Sequence, residues 1–527
     1  MPIGDHAVAI TTRVRGVCRQ FWFLKRSAID VDVEQRHRDA VLAEELSRSE
    51  RTVFVSLLLY VLVWTAYGTV AKSAQGLHPD MTEVVAWSRD LSLGYPKHPP
   101  FTAWVAWLWF SIFPVTEWSY YLLAMLMPAI TLWIVWRLSA NYLNIDKRIV
   151  GFALLTLVPF FNFHALKFNT NTVLMPLWAA TTWFFLRSVR TRSASWAALA
   201  GIAAAASMLG KYWSVFLLAG LTLAVLIDRR RLVYILSPAP YVTSIAGLLG
   251  LAPHLVWLMQ HNFTPFTYVT AAHAEVPLTA IFASILGYLA GSLGYVALPI
   301  VIVLIVAAPR VNSRVDMIWP SDDERRLAAA SFWAPLLLPA IGALVTGTEI
   351  TSLWSMPAFS LLPVVLLSSP AVIIRAPDVR RILIGAAALP LIVLIISPLV
   401  TIMAQGAGPS PAAAHGRLLT LEVERLWHQV TSKPLRFVGG DADLAYGVTT
   451  FAADRPRALT GMLQPNALEL VNNGLVLVCF AESAECGRQA TTHGAEAKLF
   501  ETELERDFAG IAGKPRRYTI VVVPPRS

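Results

Sequence analysis

Between about residues 51 and 404 the chain alternates long apolar runs with short polar breaks. The hydrocarbon core of a bilayer takes about 20 apolar residues per helix. On that measure the runs at about 53–71, 118–137, 149–165, 171–187, 195–210, 212–228, 238–259, 279–308, 328–346, 353–374 and 382–404 predict eleven membrane-spanning helices. The tryptophan-rich stretch 101–114 is too short to cross and reads as a re-entrant or interfacial helix. Beyond 405 the pattern changes. After a Gly/Pro/Ala linker, Gly406–Ala414, come a helix near Leu418–Val430, the run Leu435–Val438 and the turn Gly439-Gly440-Asp441. A helical run, Leu444–Ala453, and two β-branched-rich runs, Leu475–Phe480 and Tyr518–Val523, complete a small α/β domain over 405–527. The Gly439–Asp441 turn lacks the spacing of a phosphate-binding loop and reads as a strand-to-helix turn.

Composition agrees. With 56% hydrophobic and 15% charged residues, the 527-residue chain is too apolar for an ordinary soluble protein. The net charge of +9 does not point to nucleic acid, because the basic residues sit in short loops between apolar runs. Residues 1–50, polar and mixed in charge, read as a cytoplasmic N-terminal tail rather than a secretory signal. With that tail inside, the inner loops carry sixteen Lys and Arg, from Arg137 to Arg381, and the outer loops five: Lys72, Arg89, Lys97, Lys167 and Lys211. This bias predicts a transmembrane domain over 51–404, a first outer loop over 72–117, and a C-terminal domain on the periplasmic side of a bacterial inner membrane. The three cysteines, Cys18, Cys479 and Cys486, give no disulfide framework. Cys479 and Cys486 either pair in an oxidising compartment or remain core thiols.

Candidate chemistry gathers on the predicted outer face. The first loop holds Asp80, Glu83, Trp87, Arg89, Tyr95, Lys97 and His98 within about 20 residues. Asp80 and Glu83 are three apart and share a helix face. Asp80, just after Pro79, also suits a helix N-cap, so a capped interfacial helix with solvated charges is the plain alternative. Other outer ends carry Lys167, Asn169 and Asn171; Lys211 and Tyr212; His254, Trp257 and His261; and Glu349. A lysine in so tight a hairpin as Lys211 is costly unless it meets an anion or snorkels to headgroups. Together these groups predict a cavity that receives an anion such as a lipid phosphate, with a carboxylate base beside it.

At these positions the chain resembles a known superfamily. Trp87-Ser-Arg-Asp-Leu-Ser-Leu-Gly-Tyr-Pro-Lys-His-Pro-Pro-Phe-Thr-Ala-Trp104 is similar to the first-loop signature of the protein-O-mannosyltransferase and aminoarabinose-transferase superfamily, which takes in rhizobial galacturonosyltransferases and shares the GT-C fold. Ala206-Ser-Met-Leu-Gly-Lys-Tyr212, Pro253–Trp257 with His261–Phe266, and Trp354–Phe359 match further motifs in order. The resemblance implies a GT-C-like polytopic fold and transfer of a sugar, with inversion, from a polyprenyl-phosphate donor to a hydroxyl on the outer face. It implies Asp80 as general base with Glu83 beside it. It implies Lys97, His98, Lys211 and Arg89 at the donor phosphate, and Tyr95, Asn171, Tyr212, His254, Trp257, His261 and Glu349 around the substrate. The loop 260–277 and the C-terminal domain would help to select the acceptor: lipid A or lipopolysaccharide, another envelope glycan or lipid, or a protein. The chain departs from the signature at Met81 and Asn171, where acids are usual, which leaves a divalent metal open. The rival class is a transporter or flippase of lipid-linked sugars. It predicts internal repeats and mid-membrane charges, and neither is found.

Overall fold

A computed structural model describes residues 49–272, 276–307, 311–459, 465–493 and 497–526. The expected N-terminal tail up to residue 48, Cys18 within it, and residues 273–275 of the 260–277 loop lie outside the described residues. The chain divides into two compact units, Met1–Leu59 and Tyr60–Ser527. The described part of the first is helical, and apart from the start of the helix Ser49–Ala71 the elements described here belong to the second.

In chain order the principal helices are α1 (Ser49–Ala71), α2 (Pro79–Ser88), α3 (Phe101–Phe110), α4 (Glu117–Ser139), α5 (Ile145–Thr156), α6 (Thr170–Thr191), α7 (Ala194–Gly210) and α8 (Val215–Ile227). They continue with α9 (Ala239–Gln260), α10 (Thr264–Ala272), α11 (Leu278–Ala307), α12 (Asp323–Thr346), α13 (Ala376–Ala407), α14 (Gly416–Val430) and α15 (Ala442–Phe451). Among the described residues, α1, α4, α9, α11, α12 and α13 are long and apolar enough to cross a membrane. Leu249, Ile305, Val345 and Ile395 are at least 70% exposed on them, as side chains facing lipid would be.

Two expected spans are not continuous helices. The run 149–165 stops at Thr156 and resumes as a short 3-10 turn, Pro159–Phe161, because Pro159 has no N–H to continue the ladder. Asn162 then leaves helical geometry and its Nδ2 donates to the Thr156 carbonyl at 3.0 Å. The run 353–374 is a 3-10 helix, Ser352–Leu361, followed by one short helix, Leu362–Leu367. Pro357 and Pro363 remove two helix donors there. The runs at 171–187, 195–210 and 212–228 appear as α6, as α7, and as the 3-10 turn Tyr212–Ser214 leading into α8. The short stretch 101–114 contains the ten-residue α3.

The C-terminal region is an α/β layer. Strands β1 (Phe437–Gly440), β2 (Arg457–Ala458), β3 (Leu475–Phe480), β4 (Lys498–Leu504) and β5 (Arg516–Val523) form one sheet in the order β2-β1-β3-β5-β4. The pairs β1–β2 and β1–β3 are parallel; β3–β5 and β4–β5 are antiparallel. Leu419, Val423 and Trp427 of α14 and Leu444 and Val448 of α15 cover one face, against Val438, Val476, Ile520 and Val522. The other face buries Cys479 and Cys486, which are joined in a disulfide. Gly440 makes the strand-to-helix turn at φ +97°, where a Cβ would meet the Val478 carbonyl oxygen at 2.3 Å.

This layer braces α2. The Thr450 hydroxyl donates to the Thr82 carbonyl at 3.4 Å, and Arg89 Nη2 donates to the Thr450 carbonyl at 3.2 Å. Arg457 pairs with Asp90 at 2.7 Å. Arg506 donates to the carbonyls of Ser73 at 2.6 Å and Ala74 at 2.9 Å, in the segment that leads into α2.

Candidate active site

Helix α2 begins with His78 as its cap. Its imidazole accepts from the Asp80 N–H at 3.1 Å, and Pro79 occupies the first helical position, where a missing N–H costs nothing. The cap is therefore His78 and not Asp80, so the Asp80 carboxylate is free to point across to another element. It meets Lys167 Nζ at 3.2 Å and accepts from Asn169 Nδ2 at 3.1 Å. Asn169 is also the cap of α6, accepting from the N–H groups of Asn171 and Thr172 through Oδ1. One amide thus fixes both the start of α6 and the orientation of Asp80.

Glu83 lies one turn further along α2 and pairs with Lys97 at 3.2 Å. Lys211 sits in an extended break between α7 and the 3-10 turn at Tyr212, with backbone φ −165°. Its ammonium donates to Asn171 Oδ1 at 2.8 Å and lies 4.7 Å from the Trp354 ring centroid, a cation–π contact. Three lysines and two carboxylates thus gather near the start of α6, with Asp80 bonded to Asn169 and Lys211 to Asn171.

Two cavities meet at this point, and Asn169 and Asn171 border both. One, of about 670 Å³, is bounded by Asp80, Glu83, Lys97, His98 and Lys211 at its polar end. Trp213, Phe216, Phe266, Tyr268 and Trp354 form its apolar walls, and it reaches the ends of α8 and α12. The other, of about 570 Å³, is bordered by Lys72, His78, His164 and Lys167 and reaches the end of α13.

The electrostatics push the two carboxyls apart. Burial raises Asp80, but Lys167, the Asn169 hydrogen bond and His78 outweigh it, so its pKa falls below the ordinary carboxylate value. The Glu83 side chain is 13% exposed against 35% for Asp80. Burial dominates there and raises Glu83 to about 7, against the opposing pull of Lys97. Burial lowers Lys211 to about 7 and His98 to about 3, the neighbouring lysines adding to the drop at His98. Near neutral pH Asp80 is ionised and His98 is a neutral imidazole.

A stability prediction follows from Glu83. Its folded-state pKa of about 7 lies above its ordinary 4.5. Its contribution is therefore fully present below about pH 4.5 and is lost as pH rises through about 7. Relative to the wild type, Glu83→Gln is expected to gain a few degrees in melting temperature between about pH 5 and about pH 8. Thermal unfolding of detergent-solubilised protein followed by tryptophan fluorescence measures this. A difference that stays constant with pH would contradict it.

Of the residues singled out from sequence, Asp80, Glu83, Lys97, His98, Asn171, Lys211 and Tyr212 border the larger cavity together. His254 stands behind them. Its Nδ1–H donates to the Leu93 carbonyl at 2.6 Å, which leaves Nε2 to accept from the Tyr212 hydroxyl at 2.9 Å. Trp257 stacks between His254 and His261 and packs on Gly94, where a Cβ would meet its ring at 2.4 Å. Tyr95 stacks on Trp87 and donates to the carbonyls of Trp87 and Asp90. Arg89 and His261 border a further cleft of about 420 Å³ with Tyr446, whose lining does not include Lys97 or Lys211, and Glu349 is exposed outside either cavity lining. Lys167 and Asn169 are among the outer-face groups of the sequence but carry no assigned role there, and His78 carries none; all three hold Asp80. Their signal was present in the loop Lys167-Phe-Asn-Thr-Asn171.

The fold and this arrangement define the class: the chain is a multi-pass membrane protein with the GT-C fold. ArnT of Cupriavidus metallidurans in the apo state superposes with a TM-score of 0.58 at 12% identity, covering 89% of this chain and 97% of that one. The form of ArnT bound to undecaprenyl phosphate gives 0.55 at 14% identity, with coverage of 89% and 97%. At the level of sequence, residues 97–257 match the dolichyl-phosphate-mannose-protein mannosyltransferase family. The lipopolysaccharide core galacturonosyltransferase RgtB of Rhizobium johnstonii is 26% identical over 264 residues, 49% of this chain and 52% of that protein. The match thus spans about half the length of this relative.

Proposed function

We propose that the protein is a glycosyltransferase that moves a sugar from a polyprenyl-phosphate carrier to a hydroxyl acceptor of the cell envelope, on the periplasmic side of a bacterial inner membrane. The observation that carries this reading is one cavity with three parts. It has apolar aromatic walls at the membrane helix ends, lysines at its polar end, and the ionised Asp80 carboxylate beside them. A lipid tail suits the walls, a phosphate suits Lys97 and Lys211, and a sugar then lies near Asp80.

In the proposed reaction the acceptor hydroxyl approaches from the second cavity, across the Asp80–Asn169 border. Its oxygen attacks the anomeric carbon opposite the phosphate. Asp80 takes the hydroxyl proton as the new C–O bond forms and the bond to the phosphate oxygen breaks. The electron pair leaves with the polyprenyl phosphate, whose growing charge Lys97 and Lys211 stabilise. Attack opposite the leaving group inverts the anomeric centre. The likeness to ArnT bound to undecaprenyl phosphate and to a lipopolysaccharide core galacturonosyltransferase supports a lipid-linked donor and an envelope glycolipid acceptor.

Ligand binding tests the donor half. Decaprenyl phosphate is expected to raise the melting temperature of the purified protein with a saturable dose response, whereas the uncharged decaprenol does so weakly. Equal shifts from the two would remove the phosphate from the recognition scheme.

A further inference from the structure

Resemblance to the GT-C transferases raises a divalent metal at the acidic end of the first loop, and the residues present do not suit one. Hard divalent cations need several converging oxygen donors, and zinc needs histidine, cysteine or carboxylate ligands. Among the described residues no group of three or more His, Cys, Asp or Glu comes together. The two carboxylates at the site are both engaged by ammonium groups, Asp80 by Lys167 at 3.2 Å and Glu83 by Lys97 at 3.2 Å. The next oxygen at the site, Asn171 Oδ1, already accepts from Lys211 at 2.8 Å. The cation position of each acceptor is filled by the chain's own nitrogen.

Charge balance gives the same answer. Near neutral pH Lys97 and Lys167 bring two positive charges and Lys211, near 7, part of a third, against the ionised Asp80 and a Glu83 that is only partly ionised. The centre therefore leans positive before any phosphate enters, and a divalent ion among these lysines would meet repulsion in a partly desolvated pocket. A phosphate anion instead brings the charge toward neutrality.

We infer that Lys97, Lys167 and Lys211 together take the place of a divalent cation in this protein, so that its transfer chemistry is metal-independent. Lys97 and Lys211 face the phosphate, and Lys167 holds the Asp80 carboxylate in place. This rests on the proposed glycosyl transfer, and its test separates the two.

Wild-type protein is purified, incubated with decaprenyl phosphate, and analysed for bound metals before and after chelation. Sugar transfer from a labelled polyprenyl-phosphate sugar is followed in the same samples. The expected result is metal content well below one ion per chain and a transfer rate unchanged by chelator. One tightly held divalent ion per chain, whose removal abolishes transfer and whose return restores it, would overturn the inference. If no transfer occurs under any condition, the proposed function fails, while the metal content still decides this point. In Lys97→Glu, which replaces the ammonium by a third carboxylate, Mn2+ or Zn2+ affinity measured by calorimetry is expected to rise at least tenfold. Lys97→Gln, which only removes the charge, is expected to give a smaller rise. No gain in either variant would overturn the placement of the lysine at the cation position.

Discussion

Asp80→Asn is expected to lower the turnover of sugar transfer by about 10²–10⁴-fold, the range for loss of a positioned general base. The substitution is nearly isosteric. The amide oxygen can still accept from Asn169 Nδ2, now 3.1 Å away, so the start of α6 is kept. What disappears is the negative charge opposite Lys167 and the capacity to take a proton. Binding of decaprenyl phosphate should change little, because Lys97 and Lys211 remain. A rise in KM with unchanged turnover would instead make Asp80 a binding residue. Asp80→Glu should recover little, since the longer side chain cannot keep both the Lys167 and the Asn169 contacts.

The second large effect is expected at Lys211. Lys211→Met keeps the length and apolar stem but removes the charge, and kcat/KM should fall by about 10²–10³-fold, as for other electrostatic contacts to a developing anion. The pH dependence carries a sign. In the empty site burial lowers Lys211 to about 7, and a bound phosphate favours its protonated form. Phosphate binding therefore takes up a proton above pH 7, and affinity for decaprenyl phosphate falls as pH rises through that value, by up to about tenfold per pH unit. Glu83, also near 7, acts in the same direction, because its ionisation above that pH adds a negative charge. Asp80 is already ionised, Lys97 is held protonated by Glu83, and His98 stays neutral across this range. Lys211→Met should thus reduce the fall of affinity with pH in part, and Lys211→Met with Glu83→Gln should remove it, leaving only the contribution of the ligand's own second phosphate ionisation at about pH 6. Binding isotherms at several pH values measure it. A slope in the double variant equal to that of the wild type would show that neither group titrates on binding.

The parts of the fold that were legible in the sequence are those set by composition. Long apolar runs gave α1, α4, α9, α11, α12 and α13, and the β-branched runs gave β3 and β5. The interruptions at Asn162 and at Ser352–Leu361 were not legible, because a hydropathy run registers apolar side chains and not the backbone break that proline or a 3-10 turn introduces. At the site, the shared face of Asp80 and Glu83 followed from helical spacing, and Lys211 stood out because a lysine in a membrane hairpin is costly. Lys167 stood out only as one more outer-face cation, and its pairing with Asp80 was not legible. Its role depends on α6 starting beside α2, a tertiary fact that no local pattern encodes. Arg89 and Tyr95 show the converse: both lie in the conspicuous first loop, yet their hydrogen bonds go to the carbonyls of Thr450, Trp87 and Asp90. The Cys479–Cys486 pairing, open in the sequence, is closed by the fold, because β3 and the helix after it bring the two thiols together.

The most direct test of the account is the fate of a doubly labelled polyprenyl-phosphate sugar in proteoliposomes that contain the purified protein and envelope glycolipid. The account predicts that the sugar label passes to the glycolipid while the lipid label is released as polyprenyl phosphate, and that both changes vanish in Asp80→Asn. Donor that crosses the bilayer intact, with its two labels still joined, would contradict it.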